Sequence, residues 1–151
     1  MRQVQGRQVW IGNASDSRNF REIHARGIRA LVQLAHEEPC IEAARDLILS
    51  RVPLTDGLDN DPALTRLAIG SVLELIRAEI PTLVSCSNGL SRSPCVVAAA
   101  VSLIEGLPLN SVLQEVVGTG PADVSPQFWH HVLGVTAAMS QADPRSPGEP
   151  S

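Results

Sequence analysis

One stretch of the sequence joins a cysteine to an arginine through a short polar loop, an order that suits chemistry on an anion. Cys86 ends an apolar run, and Arg92 begins another. A small loop between a strand and a helix can turn its backbone N–H groups inward, and the helix N-terminus adds partial positive charge. The same donors stabilise a thiolate, which is the nucleophilic form of cysteine. The loop residues predicted to bind substrate are Ser87, Asn88, Gly89, Leu90, Ser91 and Arg92.

Arg92 adds a planar fork of N–H donors that can grip two phosphate oxygens and hold phosphorus in line with sulfur. Gly89 allows the loop backbone to curl around the anion. Free cysteines are more often packed in a core than reactive, and a cysteine and an arginine at this spacing form a loose pattern. The pattern becomes specific here because it lies between an apolar strand and an apolar helix. We therefore interpret Cys86 as a nucleophile and Arg92 as the phosphate clamp.

Apolar runs of strand length alternate with runs of helical periodicity along the chain. This alternation predicts a single α/β domain with a mainly parallel central sheet of about five strands and helices on both faces. In such sheets ligands bind beyond the carboxyl ends of the strands, which is where the cysteine loop lies. Strands are predicted on both sides of Gly6 and at residues 28–34, 47–52 and 82–86. Helices are predicted after the cap residues 13–16 and at residues 38–46, 62–80, 92–105, 109–117 and 126–139.

Composition excludes several classes of function. Of the 151 residues, 44% are hydrophobic and 19% are charged, and the net charge is −4, so no global basic field is present to attract nucleic acid or an anionic membrane. No apolar stretch approaches the roughly 18 residues of a membrane span. Three cysteines without metal-ligand spacing argue against a disulfide framework and a zinc site. We expect a cytoplasmic protein that needs no cofactor or metal.

The chain resembles the dual-specificity phosphatases, a branch of the protein tyrosine phosphatase superfamily. The resemblance covers residues 9–133, and its pieces follow the family's order. They are Trp10-Ile11-Gly12-Asn13, residues 27–35, Val52-Pro53-Leu54-Thr55-Asp56, the loop of residues 86–93, and residues 121–128 before the last helix.

The resemblance implies a protein tyrosine phosphatase-like fold and hydrolysis of phosphomonoesters through a phosphocysteine intermediate. The implied partners are proteins that carry phosphotyrosine, phosphoserine or phosphothreonine. Asp56 falls on the family's general acid, and Ser93 falls on the hydroxyl that assists thiolate stability and breakdown of the intermediate. Residues 1–139 then form the catalytic domain. Residues 140–151, rich in proline, serine and charge, form a tail that we expect to be disordered.

Leaving-group chemistry asks for an acid independently of the resemblance. The oxygen of a phosphate ester departs badly as an alkoxide or phenolate, so a positioned carboxylic acid should protonate it and later accept a proton from water. Asp56 follows a buried strand and fits this role. Asp59 and Asp61 are rivals, but Asp61 is better explained as a helix cap and Asp59 as a solvated loop charge.

Ser85 departs from the family pattern, because a histidine that tunes the thiolate usually precedes the nucleophile. This departure motivates an alternative, a phosphate-binding pseudophosphatase that acts as an interaction module. A phosphoinositide, nucleotide or RNA end is a less favoured substrate, since the loop lacks the lysines that meet extra phosphates. The spacing of Asp56 and the run Ser91-Arg92-Ser93 favour a phosphatase over a rhodanese-type sulfurtransferase.

Overall fold

The computed structural model describes residues 1–43, 46–57 and 59–142, which form a five-stranded sheet flanked by helices. The strand order is β1-β2-β5-β3-β4, and β1 alone runs antiparallel to its neighbour. The strands are β1 (Arg2–Gln3), β2 (Val9–Gly12), β3 (Ala30–Ala35), β4 (Ile48–Leu54) and β5 (Thr82–Ser85). The predicted mainly parallel sheet of about five strands is confirmed.

In the described residues, five α-helices cover the sheet. Capping residues explain where some of these helices begin or end. The helices are α1 (Phe20–Ala25), α2 (Pro62–Arg77), α3 (Arg92–Glu105), α4 (Leu109–Val117) and α5 (Pro126–Ala142). The Asp61 side chain accepts a hydrogen bond of 2.9 Å from Ala63 N and so caps α2, as predicted. Gly106, in the left-handed conformation with φ of 66°, ends α3.

The core lies on both faces of the sheet. The larger cluster packs α2, α3 and α5 against residues such as Ile11, Val32 and Val84. The smaller cluster, on the face of α1, contains Trp10, Ile23, Ile28, Leu31 and Leu83. Because β3 and β5 are buried along their whole length, their sequences are apolar runs rather than alternating ones. The sheet therefore gives the loop after β5 a rigid base.

Several segments differ from the predictions. Residues 38–43, expected to be helical, form a bend and an irregular segment, because Pro39 lacks an N–H and disfavours helical geometry at Glu38. Ala44 and Arg45 lie outside the described residues. Helix α2 ends at Arg77 rather than residue 80, and Glu79 has a positive φ of 56°. Helix α5 continues to Ala142, and the rest of the predicted tail, residues 143–151, lies outside the described residues. Among the described helices, none is long and apolar enough to cross a membrane.

Candidate active site

The cysteine loop lies at the carboxyl edge of the central strand β5, between β5 and α3. Cys86 is 3% exposed, and its backbone N–H donates to Gly12 O at 3.3 Å. The strands β2 and β3, which flank β5 and run parallel to it, end at the same edge of the sheet, so the residues that follow those two strands surround the loop. The position agrees with the rule that parallel sheets bind ligands beyond their carboxyl edges.

Gly89 holds the loop against the residues after β2. Its φ is 72°, a conformation that other residues rarely adopt, and an added Cβ would lie 2.9 Å from the carbonyl carbon and oxygen of Gly12. Ala14 N donates to Ser87 O at 3.1 Å on the same side. The segment around Gly12 is therefore a support for the loop, and glycine at position 89 is required by both φ and space.

Arg92 is 5% exposed and uses only part of its guanidinium. Nη1 donates to Leu54 O at 2.9 Å and to Glu37 Oε2 at 2.7 Å, and Nη2 donates to Glu37 Oε1. Nε is buried without a partner among the described residues. Because Nε and Nη2 donate along one side of the planar group, this side is left as a fork for two oxygens of an anion. Burial lowers the pKa of Arg92, but the hydrogen bonds to Glu37 and the charge of Cys86 outweigh it, so the net direction is upward.

Glu37 is one residue of this site that sequence reasoning missed; Asp123, which also lines the small pocket at the loop, is another. The hydrogen bonds from Arg92 lower the pKa of its carboxyl to about 2, with help from Ser87 and against the effect of burial. Ser87 Oγ donates to Glu37 Oε1 at 2.6 Å and lies 3.0 Å from Glu38 Oε1. Glu37 follows β3, the neighbour of β5, and the edge rule could have directed attention to it.

Asp56 reaches the loop through Ser91. Ser91 Oγ donates to Asp56 Oδ1 at 2.7 Å and accepts from Ser125 N at 2.9 Å. A backbone N–H can only donate, so the hydroxyl must direct its own hydrogen to Asp56. The Asp56 carboxyl group is thereby held at the loop with Oδ1 as the acceptor.

Asn60 shapes the backbone around the same carboxyl group. Its Oδ1 accepts from Thr55 N at 2.8 Å, and its Nδ2 donates to Thr55 O at 2.9 Å and to Gly57 O at 3.2 Å. Asp56 and Asp59 are both exposed, so exposure does not separate them, and Asp61 caps α2 as described above. Of the three aspartates, Asp56 is the one whose carboxylate lies at the cysteine loop.

A small pocket of about 80 Å³ unites most of the predicted site residues. Its lining includes Asp56, Cys86, Asn88, Leu90, Ser91 and Arg92. Three predicted residues lie outside the lining: Ser87 directs its hydroxyl to Glu37, Gly89 packs on Gly12, and Ser93 lies in the first turn of α3. The pocket has the size of a single phosphate group rather than of a larger ligand.

Ser93 and Cys95 occupy the buried first turn of α3. Ser93 is fully buried, and its hydroxyl has no partner in the described part of the chain. Burial raises the pKa of the Cys95 thiol strongly, and the charges of Asp56 and Cys86 add to the rise. Cys95 therefore stays a neutral core thiol. Residues 1–43, 46–57 and 59–142 contain no cluster of three or more side chains that could hold a metal ion.

A known human protein is similar to this chain over most of its length. The chain is 30% identical over 148 residues to human dual specificity phosphatase 28, and the match spans 94% of this chain and 81% of that protein. No protein-family model matches the chain.

Solved structures share the fold. The crystal structure of human DUSP28 superposes with a TM-score of 0.80 at 24% identity and covers 95% of this chain and 100% of its own. A mouse protein described as a dual-specificity phosphatase, crystallised with zinc tungstate, superposes with a TM-score of 0.77 at 24% identity. That match covers 89% of this chain and 85% of the mouse chain.

Proposed function

We propose that this chain, which belongs to the dual-specificity phosphatase family of protein phosphatases, hydrolyses phosphomonoesters through a phosphocysteine at Cys86. The observation that carries the proposal is the buried Nε of Arg92, which has no partner in the described part of the chain, while Arg92 lines the same small pocket as Cys86. An unpartnered buried polar group costs about 1–3 kcal/mol, so this N–H group calls for a ligand with an acceptor oxygen. Tungstate, present with the mouse relative, is such a tetrahedral oxyanion.

The first chemical step forms a bond between the Cys86 sulfur and phosphorus. The Nε and Nη2 side of Arg92 grips two phosphate oxygens, and the backbone donors of the loop bind the others. As the bond to the ester oxygen breaks, its electron pair stays on that oxygen, which takes the proton from the Asp56 carboxyl group. The products of this step are the free alcohol or phenol and the phosphocysteine.

The second step returns the enzyme to its starting state. Asp56, now a carboxylate, accepts a proton from water while the water oxygen attacks phosphorus, and the bond between phosphorus and sulfur breaks. Inorganic phosphate leaves, and Cys86 is again a thiolate. We assign to the Ser93 hydroxyl, buried one residue beyond the clamp, the donation of a hydrogen bond that stabilises this leaving thiolate.

The substrates that fit best are singly phosphorylated tyrosine, serine or threonine residues of proteins. The loop has no lysine to meet a second phosphate, and the carboxylates of Glu37 and Glu38 border it at Ser87. Repulsion between these carboxylates and any additional phosphate groups disfavours a substrate with further phosphates, such as a phosphoinositide or nucleotide. The described part of the chain carries its three cysteines as free thiols, which fits work in a reducing cytoplasm.

Turnover of an aryl phosphate by the wild type and by Cys86→Ser tests the proposal. We expect the wild type to release phosphate and the variant to release none, while the variant still binds vanadate because Arg92 and the loop donors persist. Equal rates for both proteins would refute the covalent mechanism. Vanadate binding without wild-type turnover would instead establish the phosphate-binding pseudophosphatase that Ser85 raises as the alternative.

A further inference from the structure

Helix α2 borders a largely apolar surface groove whose lining shares no residue with the pocket at the cysteine loop. This groove of about 670 Å³ lies between α2 and α5, and its lining includes Leu67, Gly70, Leu73, Leu103 and Met139. Leu67 is 59% exposed, which is unusual for a large aliphatic side chain of this molecule. An exposed apolar groove of this kind marks a surface that another polypeptide covers.

Gly70 stands in the middle of α2 without an intramolecular reason. A Cβ added there would meet nothing within 4 Å, so no neighbour in the described chain requires a glycine. Glycine in a helix interior costs about 1 kcal/mol relative to alanine. The free space above Gly70 would allow a second helix to approach the α2 backbone closely.

The side chains around Gly70 form a set that is complementary to itself. Arg66 lies as far before Gly70 as Glu74 lies after it, and Leu67 and Leu73 are related in the same way. All four line the groove. When two copies of α2 cross antiparallel at Gly70, each Arg66 faces a Glu74, and each Leu67 lies over the part of the partner's groove that the buried Leu73 lines. This pattern is what an isologous two-fold interface requires.

We propose that two copies of this chain associate through α2, with the two-fold axis passing beside Gly70. The exposed Leu67 of one copy enters the groove of the other, next to Leu103 and Met139. Glu74 already pairs with Arg77 at 3.2 Å, but its side chain is 70% exposed and can accept Arg66 of the second copy as well. The charge pairs set the register, and the leucines supply the buried area.

Sedimentation equilibrium of the intact chain, from low micromolar concentrations upward, tests this dimer. We expect reversible self-association by the wild type, which Arg66→Glu weakens about tenfold because two attractive pairs become repulsive. Glu74→Arg should weaken the dimer to a similar extent. The double variant Arg66→Glu/Glu74→Arg should restore it, since the exchanged charges are complementary again.

Two further measurements keep the test decisive. Leu67→Glu should abolish association, and aryl phosphate turnover by each variant shows that the fold is intact, because this face contributes nothing to the cysteine loop. A wild type that stays monomeric at every concentration overturns the proposal. A dimer that ignores Arg66→Glu, or that the double charge exchange fails to restore, overturns it as well.

Discussion

Replacing Ser91 with alanine removes the hydroxyl that joins the proposed proton donor to the segment before α5. The hydroxyl donates to Asp56 Oδ1 at 2.7 Å and accepts from Ser125 N at 2.9 Å. The backbone of the loop keeps its donors in this variant, and so does Arg92. Ser91→Ala should therefore disturb the acid and leave the nucleophile and clamp in place.

The size of the effect follows from the hydrogen bond that is lost. A hydrogen bond is worth about 0.5–1.5 kcal/mol to a neutral group and about 1.5–3 kcal/mol to a charged one, so the Ser91 bond strengthens by about 1–2 kcal/mol as Asp56 gives up its proton. Its loss should lower kcat by about 5- to 30-fold wherever proton donation limits the rate. A phenol such as tyrosine has a pKa near 10 and needs that proton when it departs, whereas the leaving group of an activated nitrophenyl ester needs it less. The loss should therefore be larger for phosphotyrosine.

Steady-state kinetics with phosphotyrosine peptide and nitrophenyl phosphate measure this difference. Ser87→Ala is the matched control, because it makes the same substitution in the same loop but removes a hydroxyl that contacts Glu37 instead of Asp56. We expect Ser87→Ala to affect both esters alike. If Ser91→Ala also slows both esters by the same factor, Ser91 does not act through the acid and the reasoning is refuted.

Three further predictions test neighbouring parts of the site. Asp56→Asn should lower kcat for phosphotyrosine by about 10²- to 10⁴-fold, whereas Asp59→Asn should leave kcat unchanged. Glu37→Gln should lower the free energy of unfolding, measured in urea at pH 7, by about 1 kcal/mol, a value reduced because the Glu37 side chain is 42% exposed. The pKa of Glu37 is about 2 in the folded protein against an ordinary 4.5, so the stability difference between wild type and variant is present above pH 4.5 and should disappear as the pH falls toward 2. Peroxide should inactivate the enzyme through Cys86, with recovery on thiol reduction and protection by phosphate, and a peroxide-resistant active enzyme would exclude a reactive thiolate.

Local sequence patterns predicted the helices whose first and last residues are marked by capping residues, proline or glycine. The pair Asp61-Pro62 marked the start of α2. The predicted bounds of α3 and α4 agree with the structure because α3 is a continuous apolar run, α4 has apolar periodicity, and a glycine follows each helix. The segment of residues 38–46 misled the prediction because its acidic and alanine residues favour a helix, while Pro39 and the contacts of Glu37 and Glu38 with the loop favour a bend.

Contacts between distant positions explain what sequence reasoning could not reach. The clamp Arg92 lies far along the chain from Glu37, and no local pattern signals that these two side chains meet. The Asn60 hydrogen bonds to Thr55 and Gly57 are equally invisible in the sequence, where asparagine in a loop has many uses. The parallel order of β3 and β5 brings the first pair together, and that order is a property of the whole sheet.

Direct capture of the covalent intermediate tests the central claim most closely. Wild type and Cys86→Ser would be mixed with an activated aryl phosphate, quenched in acid within the first turnover, digested and examined by mass spectrometry. The proposed mechanism predicts one added phosphoryl group on the wild-type peptide that contains Cys86, and none on the matching peptide of the variant or on peptides with Cys40 or Cys95. Phosphate release by the wild type without any phosphocysteine at Cys86 would contradict it.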